Sequence, residues 1–165
     1  MTDADVRAFE ITRRFDRPRA VVWRAWSDPD ELAQWWGPQG CTVQVARLEF
    51  RPGGLFHYAM RFGEAPPMWG RFNYREIAEP ERIVWLNSFA NEHGGIARAP
   101  FGENCPLEIE NTVTFTEEGG GTTVSLRARP FGALEVERQY FDDLRGSLDD
   151  GYGGTFERLA DHLGR

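Results

Sequence analysis

Three histidines, two cysteines and a few acidic pairs are the residues of this 165-residue chain best suited to act on a substrate. Their spacing does not fit that use. His57 sits in an alternating apolar segment, His93 precedes Gly94-Gly95, and His162 closes a helical pattern, where a cation meets the terminal carbonyls. None has the local spacing of a metal motif, and Cys41 and Cys105 stand far apart, so no metal site is expected. Both cysteines read as reduced thiols. Asp142-Asp143 and Asp149-Asp150 fall on the polar side of a helical pattern, while Glu108 and Glu110 alternate along a strand. These are solvated acidic faces rather than acid and base held together. There is no Gly-x-Ser-x-Gly nucleophile elbow and no phosphate-binding glycine loop, and Gly119-Gly120-Gly121 reads as a hairpin turn. No catalytic residue and no cofactor is expected.

The rings remain. Aromatics make up 13% of the chain. Phe56, Tyr58, Met60, Trp69, Phe72, Trp85 and Phe115 on strands, with Leu148 and Tyr152 on the last helix, form a set able to line an internal cavity. The same residues are equally able to fill that space, because pockets and cores are both apolar. His57, Arg61 and Asn87 are the polar groups nearest them in sequence. Strand alternation puts Tyr58 and His57 on opposite faces, so Tyr58, which shares a face with Phe56 and Met60, is the one expected to meet a ligand.

These residues need a scaffold, and the sequence marks its elements. An alternating strand is predicted over 6–15. Pro18 suits the first turn of a helix carrying Val22, Trp23 and Trp26. Asp28-Pro29 opens a second helix, with Glu31 completing a capping box, and Gly37-Pro38 stops it after Leu32, Trp35 and Trp36. Strands follow over 42–50, 55–62, 68–77 and 82–89, separated by turns at Pro52-Gly53-Gly54, Gly63 to Pro67 and Glu79-Pro80-Glu81. Residues 90–105 lack periodicity and read as a long loop, which in a compact domain is functional or disordered. Two more strands, 107–116 and 122–129, lead into one helix over 137–163. Its apolar stripe runs through Phe141, Leu144, Leu148, Tyr152, Phe156, Leu159 and Leu163. Gly151, Gly153 and Gly154 make that helix weak, and a kink is expected there. Consecutive strands closed by a helix about 40 Å long give an α+β architecture, a curved antiparallel sheet around the C-terminal helix.

Bulk properties narrow the partners. The length suits one domain over residues 1–165. A net charge of −7 opposes binding to nucleic acid and to anionic membrane surfaces. No apolar run is long enough to span a bilayer and no secretory signal is visible, so a cytoplasmic protein is expected.

Val22-Trp-Arg-Ala-Trp-Ser-Asp-Pro29, Trp35-Trp-Gly-Pro38, Arg51-Pro-Gly-Gly54, the Gly70, Phe72, Glu76 strand and the Asp150-Gly-Tyr152 to Leu159 helix occur in this order. Together they resemble the activator of heat-shock-protein-90 ATPase homologue family, within the START-like (SRPBCC) helix-grip superfamily. Here Glu49 stands near a usual Asp, and Tyr152 replaces a usual Trp. The resemblance implies a helix-grip fold with two short helices after the first strand. Its superfamily spans lipid and hormone carriers, polyketide cyclases and resistance proteins. The expected role is non-catalytic binding of a small hydrophobic or aromatic molecule between sheet and last helix, by a monomer or homodimer. Two alternatives are carried: a co-chaperone-like interaction protein whose partner is a chaperone, and a cyclase- or hydrolase-type enzyme using His57, Arg61 or Asn87.

Overall fold

A computed structural model describes residues 2–3 and 6–164 of the chain. After β1 (Phe9–Phe15) come α1 (Arg19–Ser27) and α2 (Pro29–Trp35). The strands β2 (Thr42–Leu48), β3 (Leu55–Arg61), β4 (Met68–Ala78), β5 (Arg82–Ala90), β6 (Ile96–Ala97), β7 (Glu108–Glu118) and β8 (Gly121–Phe131) follow, and then α3 (Glu135–Asp143) and α4 (Arg145–Leu163). The strands form an antiparallel sheet in the order β1-β8-β7-β5-β4-β3-β2, with β6 beside β5. This is the α+β, helix-grip architecture expected from the sequence.

Local chemistry explains the entry into the fold. Pro18 is extended and flanks α1, accepting a hydrogen bond from Val22 N–H at its carbonyl (3.2 Å). Asp28 Oδ1 accepts from the N–H groups of Asp30 (2.9 Å) and Glu31 (3.2 Å), so one side chain satisfies two of the donors that a helix start leaves open. Gly37 then takes φ +97°, and a Cβ there would come within 2.9 Å of Cys41 Sγ. Trp23, Trp26, Leu32 and Trp35 point inward and are at most 5% exposed. They meet Phe115, Trp85 and Phe156, a ring cluster that glues both short helices to the sheet and to α4.

Several expectations are corrected. The C-terminal segment is two helices, not one, and the break falls at Leu144 rather than at Gly151–Gly154, through which α4 runs unbroken. Leu144 N–H is shared between the carbonyls of Tyr140 and Phe141, both at 3.1 Å, so the last turn of α3 tightens there. Glu31 closes no capping box: its carboxylate pairs with Arg24 (3.1 Å) and His162 (3.0 Å). His162 accordingly faces α2, and the last carbonyl of α4, that of Leu163, accepts from Arg17 Nε at 2.6 Å instead. The 90–105 loop also gains order from β6.

The loop and α3 are tied through one carboxylate. Glu137, 5% exposed, accepts from Leu134 N–H (2.9 Å) and from Arg98 (2.6 Å). Burial pushes its pKa up, but the Arg98 and Leu134 hydrogen bonds outweigh that and hold it below the ordinary 4.5. A depressed carboxylate pKa stabilises the fold fully above the unfolded value and loses that contribution as pH falls through the folded one. Urea midpoints measured from pH 7 down to pH 3 should therefore decline less for Glu137→Gln than for the wild type; parallel curves would contradict the linkage. Arg98→Ala should cost about 1 kcal/mol at pH 7, solvent around Arg98 screening part of the bond.

Candidate functional site

The inner face of the sheet and α4 do not meet everywhere. Between β3, β4, β5, β7 and the first half of α4 lies a cavity of about 300 Å³, at the lower end of the range for small-molecule sites. Trp36 and Pro38 close one side, and Phe101, Cys105 and Pro106 of the 98–107 segment close another. The floor carries Tyr58, Met60, Gly70, Asn87, Phe89 and Ile109, and α4 contributes Leu148, Gly151 and Tyr152. A Cβ on Gly151 would meet nothing within 4 Å.

Of the nine residues singled out from the sequence, Tyr58, Met60, Leu148 and Tyr152 line this space. Phe56, Phe72, Trp85 and Phe115 do not: they are at most 2% exposed and packed against other rings, with Phe72 stacked on Trp85 at 4.5 Å and Phe115 edge-on to Trp23 at 5.2 Å. Trp69 lies on the opposite face of the sheet, stacked on His57 at 4.8 Å. His57 Nε2 is 3.0 Å from the Asn91 carbonyl, and Arg71 donates to the Gly94 carbonyl at 2.8 Å. That outer cluster straps down the 91–95 turn. Arg61, at the exposed end of β3, and His57 thus lie outside the cavity, whereas Asn87 is in its wall.

The polar groups of the cavity are neutral; beside the amide and the phenols they include the hydroxyls of Ser147, Thr155 and Ser88, the last buried without a hydrogen-bond partner. Asn87 Nδ2 donates to the Arg71 carbonyl (3.1 Å) and leans on Tyr58 Oη (3.5 Å). Tyr152 Oη donates to Asn111 Oδ1 at 3.1 Å, and Asn111 is itself fully buried. Burial pushes the pKa of both phenols and of the Cys105 thiol above their ordinary values, so all three are neutral at pH 7. Among the described residues, no charged side chain lines the cavity and no group of three or more His, Cys, Asp and Glu could hold a metal. A second, wider groove near the start of β1 is lined by Arg7, Arg127, Arg129 and Arg145. Two of these are committed, Arg127 to Glu10 and Arg145 to Asp142 and the carbonyls of Arg7 and Ala8.

The sequence pattern of the family described as Activator of Hsp90 ATPase homolog 1-like protein matches residues 16–164. The chain belongs to that family. None of the curated proteins matches it. Among solved structures, protein Ms6760 from Mycobacterium smegmatis is 25% identical with a TM-score of 0.73, covering 95% of this chain and 90% of its own. A protein from Arthrobacter aurescens is 24% identical with a TM-score of 0.80, covering 99% and 90%. The AHSA1 protein from Silicibacter pomeroyi is 20% identical with a TM-score of 0.69, covering 96% and 98%. These likenesses carry the fold. No described helix is long and apolar enough to cross a membrane.

Several wall residues of this family member were absent from the sequence-derived set. Trp36 looks like one more ring of a Trp-rich helix, and Phe101 and Cys105 sit in a segment without periodicity. Asn111, which is not in the wall but holds the Tyr152 hydroxyl from behind it, carried a usable signal: it alternates with Val113 and Phe115, and a polar residue on an apolar face needs a buried partner. Position in the wall has an energetic signature. Leu159, 0% exposed in the core, should lose about 2–5 kcal/mol on substitution by Ala. Leu148→Ala only widens a space that already exists and should cost about 1 kcal/mol. Chemical denaturation of the two variants side by side checks this; equal losses would place Leu148 in packed core.

Proposed function

We propose that this protein binds a small apolar or aromatic molecule in the cavity between the sheet and α4, without turning it over. The observation that carries this reading is Gly151. A glycine inside a helix costs about 1 kcal/mol relative to alanine, and here a side chain would clash with nothing. Close packing therefore does not require the missing Cβ, whereas keeping the cavity open does. The lining supports a binding role over a catalytic one. Its ionisable groups are two phenols and a thiol shifted away from the range of a general base or nucleophile. The same reading takes the chain as one domain at work in the cytoplasm, where the buried, unpaired Cys41 and Cys105 suit a reducing compartment.

A library of hydrophobic compounds screened by thermal shift tests the proposal. A ligand at one hundred times its Kd should raise Tm by about 5–10 °C. Gly151→Leu should fold with an unchanged or higher Tm and lose that shift, because the new side chain occupies the space. If no compound stabilises the wild type, or Gly151→Leu keeps the full shift, the cavity is not the binding site.

A further inference from the structure

We infer that the cavity selects an uncharged ligand bearing a hydrogen-bond acceptor, such as a ketone oxygen, and that Tyr58 is the donor that reads it. The inference rests on the cavity being a binding site, as proposed above.

The wiring of Tyr58 supplies the first argument. Asn87 donates to its oxygen, and the orientation of that amide is set by the Arg71 carbonyl, which only the nitrogen can face. The Trp36 ring stands edge-on to the same phenol. With the Asn87 amide on its oxygen, the phenol still has its own proton to give. Among the described residues, none accepts that proton. Tyr152 is wired the other way. Its proton goes to Asn111 Oδ1, and the Asn111 amide nitrogen is committed to the Ile109 carbonyl at 3.2 Å. One phenol therefore offers a donor and the other at most an acceptor.

Tyr58 is also held still. Its ring lies against the bare backbone of Gly70, where a Cβ would come within 2.6 Å of the ring and hydroxyl. Phe72 and Trp36 meet it edge-on at 5.8 and 6.3 Å. The donor is in place before a ligand arrives, so little ordering remains to be done on binding.

Charge is the second argument. A carboxylate entering this space would give up its water without meeting a cation. Arg71 lies across the sheet, holding the Gly94 carbonyl. Arg158 is directed at the Gly37 and Pro38 carbonyls (3.2 and 2.8 Å) and at Cys41 Sγ.

Three probes on one scaffold test the inference by isothermal titration calorimetry at pH 7.5: 2-acetylnaphthalene, 2-isopropylnaphthalene and 2-naphthoate. The ketone should bind at least threefold tighter than the hydrocarbon and more than tenfold tighter than the carboxylate. Tyr58→Phe should abolish the preference for the ketone while leaving the hydrocarbon's affinity within twofold, and Tyr152→Phe should leave the preference intact. The bound ketone's C=O stretch in the wild type provides a measurement independent of any variant, and it should fall in frequency as expected for a hydrogen-bonded carbonyl. Equal binding of ketone and hydrocarbon, naphthoate as tight as the ketone, or an unshifted stretch overturns the inference and leaves the cavity reading standing. If none of the three binds, the cavity reading itself fails and this inference falls with it.

Discussion

Everything in this fold leans on Trp26. Its ring packs edge-on to Trp35 at 4.7 Å and lies within 6.3 Å of Trp36, Trp85, Phe115 and Phe156. Those partners come from the second helix and the residue after it, two sheet strands and α4. Trp35 adds a directional bond, its indole N–H donating to the Ala25 carbonyl at 2.8 Å. Rings of this size bury much apolar area per rotatable bond, and their edge-to-face contacts add specificity to that burial. The indole N–H groups of Trp26 and Trp85 are buried without a hydrogen-bond partner. The cluster is thus held by packing, strongly enough to tolerate two unmet donors.

A solid end creates a hollow one. Where the tryptophans sit, sheet and helix are filled to the limit. Toward the start of α4 the facing residues are Leu148, Gly151 and Tyr152, just after the break at Leu144. The helix can bridge the gap because its distal half, Phe156 to Leu163, is anchored in the core. Local stability is given up at the cavity and regained at the Trp cluster, a division common where a scaffold must hold open space.

Caps and turns were readable from sequence because their chemistry is local. Asp28 needs only the two amides that follow it, and strand alternation needs only near neighbours. The Leu144 break was not readable, since its bifurcated hydrogen bond involves neither Gly nor Pro and the apolar stripe runs straight through it. Alternation assigns a ring to a face but not to a depth. Phe72 and Trp85 share the inner face with Tyr58, yet the tryptophans of α1 and α2 cover that part of the sheet, and the sequence does not say where those helices will settle. Trp69 is different. It stands three residues from Phe72 on one strand, and an odd spacing already puts the two on opposite faces. His57 and Glu31 show the complementary limit, because their partners, Asn91 and His162, lie 34 and 131 positions away.

Arg145 is placed to do more than begin a helix. Its guanidinium takes the carbonyls of Arg7 and Ala8, just ahead of β1, and stands over the Phe141 ring. β1 is the last strand on its side of the sheet, and such strands invite another chain to pair with them. An incoming strand would find these acceptors already occupied and a positive charge beside them. The contact that fastens α4 to the sheet therefore also obstructs edge-to-edge pairing at the entry to β1, one of the two edges of the sheet.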